Sequence, residues 1–276
     1  MLIVFIFIIG WLYLFVYLKP SNDREWEPNS AIIPKVTIQQ DIITIKDIRD
    51  TQFDEKNNNQ PITHYIEQSY DLKNLQKVWF IVEPFHNKPF TNFEGIAHTY
   101  FVFDFSDKSP IAVSVEARRE KDEKYDSWWG LLNQYELMYT WDTEQNQTVR
   151  RVISEHNKLY MYPLVITPDQ SKKLFLQLAQ TTHQLESTPR FYNSLLSNCT
   201  NELAKNANAI APGSIPQNIA LYLPGYSAQE LYKLKLIPNS KPVDEMIKNA
   251  EISDFVTTHF KDKDFSQALR QKVSAL

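Results

Sequence analysis

Two segments in the middle of the chain alternate with the period of a β-strand, and this pattern constrains the fold more than any other feature. Residues 96–105 read IAHTYFVFDF and residues 111–117 read IAVSVEA, separated by a Ser-Asp-Lys-Ser-Pro turn. Successive side chains of a strand point to opposite faces of the sheet. One face of the first segment therefore carries His98 among apolar residues, and one face of the second carries Ser114 and Glu116.

Other segments extend this sheet or predict helices beside it. Predicted strands lie at residues 36–45 (a hairpin around Gln-Gln-Asp), 78–82, 135–141, 149–153 and 159–165, with a polar loop over 50–61. Thr167-Pro-Asp-Gln predicts a helix that starts with a capping box. Further helices are predicted from about Cys199, from Ser227 and over residues 242–276. The predicted fold class is α+β, with an antiparallel sheet packed against helices.

The first 18 residues predict a membrane anchor. Residues 2–18 read LIVFIFIIGWLYLFVYL without a charge, and at about 1.5 Å per residue they just cross a bilayer's hydrocarbon core. A cleaved signal peptide needs a basic start and a small-residue cleavage site, but no Lys or Arg precedes Lys19 and no Ala precedes Ala31. We predict an anchor over residues 1–19, a linker over 20–35, a main domain over 36–237 and a helical tail over 238–276.

The composition excludes several classes of function. The chain has only 5 glycines in 276 residues, and none forms a phosphate loop or a dinucleotide fingerprint. Its net charge of -4 argues against nucleic acid as a partner. A single cysteine cannot form an internal disulfide. The histidines do not have the spacing of zinc ligands, and the chain has no second cysteine to complete a zinc site. We therefore predict neither a metal nor a cofactor.

That one cysteine, Cys199, is the candidate nucleophile. Ser197 or Asn198 can cap a helix that begins at about Cys199. A thiol in the first turn of a helix sits where the dipole and the unpaired amides favour negative charge, which lowers its pKa. The same amides can receive an oxyanion. The alternative is a small buried apolar residue without chemistry.

His98 is the histidine best placed to act as the base, because it lies within a predicted central strand. Its alternative is a core histidine with satisfied hydrogen bonds. Glu116, on the next strand, can hold the imidazole by its second nitrogen, or can instead form a salt bridge with Arg118 or Arg119. Tyr192 can donate to an oxyanion, or can simply pack.

Several short words occur in the order of one known family. They are residues 21–26 (SNDREW), 96–99 (IAHT), 115–120 (VEARRE), 135–137 (YEL), 191–193 (FYN) and 198–200 (NCT). Over about residues 21–209 the chain resembles the periplasmic Lnb-type domain of bacterial lipoprotein N-acyltransferases. The order of a histidine strand before a cysteine helix also resembles the circularly permuted NlpC/papain-like thiol enzymes, which include lecithin:retinol acyltransferase.

The resemblance implies Cys199 as nucleophile and His98 as base, with Glu116 as a matching position whose orienting role we infer. We assign Tyr192, Asn198 and Arg118, which lie in the matching words, as candidate substrate-binding residues. In one respect the chain departs from the resemblance, because the N-acyltransferases of this type continue into further membrane helices. This chain ends at Leu276.

The function expected from these observations is acyl transfer through a thioester, with membrane lipid as a partner and a lipoprotein amine as a candidate acceptor. The expected location is the bacterial inner membrane, with one span and the domain facing the periplasm. Two alternatives stay open. One is a cysteine amidase or peptidase that acts on cell-wall peptide, and the other is a membrane-tethered binding domain without catalysis.

Overall fold

Eight strands of the described chain form one sheet. The computed structural model describes residues 18–54, 60–85 and 95–274 and the isolated positions 5, 10 and 12. The strands are β1 (Lys35–Gln39), β2 (Ile42–Asp54), β3 (Gln60–Asp71), β4 (Leu75–Pro84), β5 (Ala97–Phe105), β6 (Ile111–Arg118), β7 (Glu136–Thr143) and β8 (Tyr160–Pro163). Their order is β1-β2-β7-β6-β5-β4-β8, and β3 pairs with β2 outside this path. The predicted membrane segment, residues 2–18, lies almost entirely outside the described residues.

The sheet is antiparallel, as predicted, except where β2 meets β7. These two strands run parallel, with Arg49 opposite Asp142. β5 and β6 are antiparallel neighbours and place Tyr100 opposite Ser114. One face of these two strands therefore carries His98, Ser114 and Glu116 near the end where β5 begins.

The hairpin at the start of the sheet is confirmed, but its second strand is longer than predicted. β1 and β2 join through Gln40 and Asp41, with Gln39 opposite Ile42 and Gln40 at φ 54°. β2 then continues through the predicted loop as far as Asp54, and β3 begins at Gln60. The prediction of a loop was therefore wrong for residues 50–54 and 60–61. Backbone pairing between β2 and β3 makes these residues strands, although their sequence has no apolar alternation.

Eight α-helices accompany the sheet in the described part of the chain. They are α1 (Ser127–Leu131), α2 (Glu144–Val149), α3 (Pro168–Ser187), α4 (Cys199–Ile210), α5 (Ser227–Lys233), α6 (Val243–Ala250), α7 (Ser253–His259) and α8 (Phe265–Val273). The capping box of α3 is confirmed, since Thr167 accepts from the Gln170 amide and the Gln170 side chain accepts from the Thr167 amide. The predicted start of α4 at Cys199, with Asn198 as its cap, is confirmed as well.

The prediction of a strand over residues 149–153 was wrong. α2 ends at Val149 and continues as a π-helical turn over Arg150–Ser154. Thr143 caps α2 by accepting from the Asn146 amide. Val149 and Val152 are three residues apart, so they share one helical face, and both are buried against the sheet.

Helices bury both faces of the sheet. On the first face, α3 and α4 pack over β4 to β7, with Phe175 of α3 edge-on to Phe103 at 5.0 Å between ring centroids. On the second face, α2 and the tail helices α7 and α8 pack over Trp79, Tyr100 and their neighbours. The region predicted as a tail, residues 238–276, contains α6, α7 and α8 and forms part of the core, since Leu269 of α8 is fully buried.

Candidate active site

Cys199 is the first residue of α4 and lies at the end of the sheet where β5 begins. Its side chain is buried, with 5% of its surface exposed. The Asn198 side chain accepts a hydrogen bond from the Asn201 amide at 2.9 Å and so caps the helix. The first intrahelical bond runs from the Glu202 amide to the Asn198 carbonyl, so the amides of Cys199 and Thr200 have no acceptor within the helix.

The residues after His98 on β5 fix the helix start against the sheet. The hydroxyls of Thr99 and Thr200 lie 2.8 Å apart, and the Thr200 hydroxyl is 3.8 Å from the Cys199 sulfur. The Thr99 backbone amide and the His98 imidazole also donate towards the thiol. Strand and helix therefore bring the predicted base and the predicted nucleophile into contact.

A serine and a carboxylate occupy the far side of the imidazole. His98 Nε2 is 2.6 Å from the Ser114 hydroxyl and 3.4 Å from Glu116 Oε1. The Ser114 hydroxyl donates to the same carboxylate oxygen at 2.8 Å. Since Nε2 is engaged by Ser114 and Glu116, Nδ1 is the ring nitrogen available to the Cys199 thiol.

The carboxylate is held in turn by a buried arginine. Arg151, in the π-helical turn after α2, donates to Glu116 Oε1 at 2.8 Å and pairs with the fully buried Glu83. Asn157 donates to the other oxygen of Glu83 at 2.6 Å. Arg151 thus bridges two carboxylates, which satisfies charges that would be costly to bury alone. Glu116 therefore pairs with Arg151, and its expected alternative partners Arg118 and Arg119 are bonded elsewhere.

The electrostatics of this cluster favour a thiolate–imidazolium pair. Burial opposes the charged imidazole, but the Glu116 carboxylate outweighs it and raises the pKa of His98 to about 10. Burial also opposes the thiolate, yet the charge and hydrogen bond of His98 lower the pKa of Cys199 below its ordinary value. Despite burial, His98 and Arg151 hold the pKa of Glu116 well below its usual range. The group can therefore supply a nucleophile and a proton donor together near neutral pH.

Comparison with known families identifies the domain. A sequence model of the Lnb N-terminal periplasmic domain matches residues 63–224, which is more than half of the chain. The chain belongs to this family. The match encloses His98, Ser114, Glu116 and Cys199, and membership in a periplasmic domain family supports a periplasmic location for this domain. No curated protein and no solved structure matches the chain.

Tyr192 is the substrate-binding candidate that the Lnb-type domain brings to the thiol. Its hydroxyl lies 3.4 Å from that of Tyr125. Burial, followed by the neighbouring phenol and the charge of Cys199, raises the pKa of Tyr192 well above its ordinary value. The pKa of Tyr125 is raised as well, through desolvation of its hydroxyl, although 40% of the residue is exposed. Both phenols therefore stay protonated at neutral pH, and the charge of Cys199 contributes to the rise of both pKa values.

Asn198 and Arg118 have other contacts. The Asn198 amide nitrogen donates to the carbonyls of Ser194 and Leu221 at 3.1 and 3.0 Å, so both ends of its side chain hold the loops around the helix start. The Arg118 guanidinium is buried and donates to the carbonyls of Ser30 and Ala31. It also stacks on Trp26, with 3.8 Å between its central carbon and the ring centroid. Arg118 thus fastens the linker to the domain.

Sequence reasoning missed Ser114, Arg151, Glu83 and Tyr125 as parts of the cluster. Ser114 could have been found, because the alternation places it on the face of Glu116, opposite Tyr100. Arg151 lies in a segment predicted as a strand, so the direction in which its side chain points could not be predicted. Glu83 comes at the end of an apolar strand, where a carboxylate without a visible partner is the only signal.

The described residues hold no three His, Cys, Asp or Glu side chains grouped as metal ligands. Among these same residues, none of the helices combines the length and the apolar character that a membrane crossing requires.

Proposed function

We propose that this Lnb-type domain is a cysteine-dependent acyltransferase that works through a thioester on Cys199. The observation that carries the proposal is the line of contacts from Cys199 through His98 to Ser114 and Glu116. A nucleophile, a base and an orienting carboxylate in this order form the constellation on which thiol and serine acyl transfer depends. The likeness to the permuted NlpC/papain-like fold stays a prediction.

In the first half-reaction the Cys199 thiolate attacks the carbonyl carbon of an ester. The sulfur–carbon bond forms and the carbonyl oxygen takes the negative charge. His98 then gives its Nδ1 proton to the alkoxide oxygen as the carbon–oxygen bond breaks, which releases an alcohol and leaves the acyl group on sulfur. Glu116 and Ser114 keep the ring aligned through Nε2.

In the second half-reaction an amine attacks the thioester. Neutral His98 accepts a proton from the amine nitrogen, the carbon–sulfur bond breaks, and an amide leaves with the free thiolate restored. If water takes the place of the amine, the product is a carboxylic acid and the enzyme is a hydrolase. The α-amino group of a lipoprotein is the acceptor that the family resemblance favours.

Amides and phenols are available for the oxyanion. The Cys199 amide lies at the helix N-terminus without an acceptor in the helix, and Tyr192 and Tyr125 present protonated hydroxyls beside the thiol. Fixed donors at the place where charge develops are worth about 10²–10³ in rate each. We assign the Cys199 amide and one of these phenols to that role.

An apolar cavity favours an acyl substrate over a peptide. It runs along α4 from Thr200, and its lining is almost wholly apolar, with Leu203, Ala207, Phe80 and Phe101 among its walls. The cavity begins at Thr200, the residue next to Cys199. A saturated chain that reached it from the Cys199 sulfur would gain favourable burial, whereas a peptide backbone would leave polar groups unpaired there. We further propose that residues 2–18 anchor the enzyme to the inner membrane with a single span, so that phospholipid is the donor.

The test is the reactivity of Cys199 with iodoacetamide as a function of pH, followed by intact mass. The chain has no other thiol, so every adduct reports this site. We expect an apparent pKa below the free value of about 8.5, and we expect this shift to be lost in His98→Ala. His183→Ala, which changes an exposed histidine on α3, is the matched control.

The same protein is then incubated with phospholipid. A mass increase equal to one fatty acyl chain, absent in Cys199→Ser, supports the transferase. Cleavage of a cell-wall peptide without an acyl adduct would replace the proposal with the amidase reading. A thiol that is inert throughout the pH range of the native protein would leave the non-catalytic binding domain as the better account.

A further inference from the structure

Exposed apolar side chains gather around the helix start that carries Cys199. Trp128 and Trp129 of α1 are 77% and 56% exposed, and Leu196, three residues before Cys199, is 63% exposed. The full set, which we call the apolar patch, consists of Trp128, Trp129, Leu131, Leu132, Leu195, Leu196, Ile219 and Tyr222. Isolated exposed hydrophobic residues are ordinary, but a group of this size on one end marks an interaction surface.

Hydrogen bonds fix the three segments of the patch to one another. The Ser194 amide donates to the Gly130 carbonyl at 3.3 Å, and the Asn193 side chain donates to the Leu131 carbonyl at 3.1 Å. The Asn201 side chain donates to the carbonyls of Leu195 and Leu221 at 2.9 and 2.8 Å. The three segments of the patch, α1, the loop before Cys199 and residues 219–222, are therefore neighbours at the start of α4.

The two tryptophans are held outward by an ordered turn. Asp126 caps α1, and its carboxylate accepts from the amides of Trp128 and Trp129 at 2.7 and 3.4 Å. The Asp126 amide in turn donates to the Tyr135 hydroxyl at 2.8 Å. A soluble surface gains nothing from two fixed, exposed indoles, whereas indoles are enriched at the interface between a bilayer and water.

The course of the N-terminal chain identifies the occupant as a bilayer. The Ser21 amide donates to Glu136 at 3.2 Å, and Arg24 pairs with the same carboxylate at 2.9 Å. Glu136 begins β7 and is bridged to Phe191, five residues before Leu196. The described N-terminal chain at Ser21 therefore lies at the end that carries the patch, and the apolar residues 2–18 come directly before it in the sequence. Charges beside the patch have both signs, as in Lys124 and Glu123, so attraction to an acidic surface alone does not explain it.

We propose that the apolar patch rests on a lipid bilayer, with Trp128 and Leu196 seated among the headgroups and Cys199 directly above them. This inference goes beyond the thioester chemistry, because the patch can dock whether or not the thiol reacts. It also orients the molecule, since it places the start of α4 towards the membrane and the far end of β8 away from it.

The experiment measures the membrane depth of spin labels on the full chain. Cys199→Ser removes the only native thiol, and single cysteines are then introduced as Leu132→Cys or Leu196→Cys. The control is Val165→Cys, since Val165 is apolar and 56% exposed but follows β8 at the opposite end of the sheet. Each labelled protein is reconstituted in phosphatidylcholine–phosphatidylglycerol vesicles, and collisions with oxygen and with a water-soluble nickel chelate are compared.

We expect the labels at 132 and 196 to show raised oxygen and lowered nickel collisions, at a depth of about 5–10 Å into the boundary between headgroups and acyl chains. The label at 165 should behave as in water. The pattern should persist at high salt, because apolar burial is not screened as charge pairing is. Adding Trp128→Ser and Trp129→Ser should return the label at 132 towards water.

Three results would overturn the proposal. Labels at 132 and 196 that behave like the one at 165 would exclude bilayer contact. Low collision rates with both oxygen and nickel would show that a protein, such as a second copy, covers the patch. A chain that does not associate with vesicles would also exclude it. Since the protein carries Cys199→Ser throughout, none of these outcomes depends on the catalytic proposal.

Discussion

At the scale of single residues, the site is a row of charges that stabilise one another. The Cys199 thiol faces the His98 imidazole, which faces the Glu116 carboxylate, which faces the Arg151 guanidinium. Transfer of the thiol proton to His98 makes every member of the row charged. Signs alternate along the row, so each charge is held by an opposite neighbour in a place where burial would otherwise neutralise it. Glu116 is the member whose charge most directly raises the pKa of His98.

Glu116→Gln removes that charge and keeps the shape of the side chain. An opposite charge within hydrogen-bonding distance shifts a pKa by about 1–3 units, so we expect the pKa of His98 to fall and the apparent pKa of Cys199 to rise by about one unit. Alkylation of Cys199 at neutral pH should then slow by about tenfold. The rate of iodoacetamide labelling against pH measures both effects. Glu67→Gln, an exposed carboxylate paired with Lys46, should leave the profile unchanged.

The pair formed by Cys199 and His98 also makes the free energy of unfolding depend on pH. A raised pKa of about 10 for His98 contributes stability that is fully present below its unfolded value of about 6.5 and is lost as the pH rises through 10. The lowered pKa of Cys199 works in the opposite direction, since its contribution grows until the unfolded thiol ionises at about 8.5. The two contributions oppose each other between the lowered pKa of Cys199 and about pH 8.5, and above 8.5 only the loss from His98 remains.

We therefore expect the urea midpoint of the native chain to change least in the pH range just below 8.5, where the gain from Cys199 opposes the loss from His98, and to fall above it. In Cys199→Ser the fall should begin at about pH 6.5, because the offsetting thiol is gone. Urea unfolding followed by tryptophan fluorescence at half-unit pH steps measures this. Identical pH profiles for the two proteins would contradict the ion pair.

Site residues could be predicted from the sequence where the signal for their position lies in neighbouring residues, and not where it depends on distant ones. Cys199 and His98 were accessible, because a cap signal marks the helix start and a run of aromatic and other apolar residues marks the strand. Arg151 was not, because its role depends on a π-helical turn that brings a distant segment against Glu83 and Glu116. Arg118 and Asn198 were assigned to substrate, but their side chains are bonded to the linker and to neighbouring loops.

At the scale of elements, the loop before α4 is positioned by one close approach to α1. An added Cβ at Gly130 would lie 2.1 Å from the Ser194 hydroxyl oxygen and 3.4 Å from the Ser194 Cβ. Ser194 lies in the loop that leads to Cys199, and its amide donates to the Gly130 carbonyl. The absence of a side chain at residue 130 thus sets where α4 begins relative to α1.

Gly130→Ala should force the Ser194 side chain, and with it the loop, away from its present position against α1. We expect a loss of about 1–3 kcal/mol in the free energy of unfolding, as for an overpacked contact, together with slower alkylation of Cys199. Gly130→Ala with Ser194→Ala should recover most of both, since the clashing oxygen is gone and the next contact is of ordinary length. Urea unfolding of the four proteins in the cycle measures the coupling. Additive effects in this cycle would mean that the contact does not position the loop.

The elements that sequence analysis misjudged share a physical cause. Residues 149–153 are rich in β-branched side chains, which favour a strand locally, but Val149 and Val152 are spaced to pack as one helical face on the sheet. Residues 50–54 lack an apolar pattern, yet β3 pairs with them along the backbone. In both cases a tertiary contact outweighs the local preference.

At the scale of the whole molecule, the tail helices complete the face of the sheet that carries the carboxylate network. Arg270 of α8 pairs with Asp104 of β5 and, at 2.7 Å, with the buried Glu144 at the start of α2. The Gln145 side chain donates to the Phe260 carbonyl at 2.6 Å. The tail thereby holds α2 against the sheet, and the π-helical turn that follows α2 carries Arg151.

This arrangement predicts that changes in the tail helices alter the stability of the domain and the pKa of Cys199. Leu269→Ala opens a cavity under α8, and we expect a loss of about 2–5 kcal/mol in the free energy of unfolding. Gln271→Ala, on the exposed side of the same helix, should change stability by less than about 0.5 kcal/mol.

Removal of residues 253–276 exposes Trp79, Tyr100 and Val102 and frees Arg151 to move, so the apparent pKa of Cys199 should rise. Urea unfolding and pH-dependent alkylation of the soluble fraction measure both effects. If the shortened chain stays folded with the native alkylation profile, the tail is an appendage, and the chemistry belongs to the sheet and α4 alone.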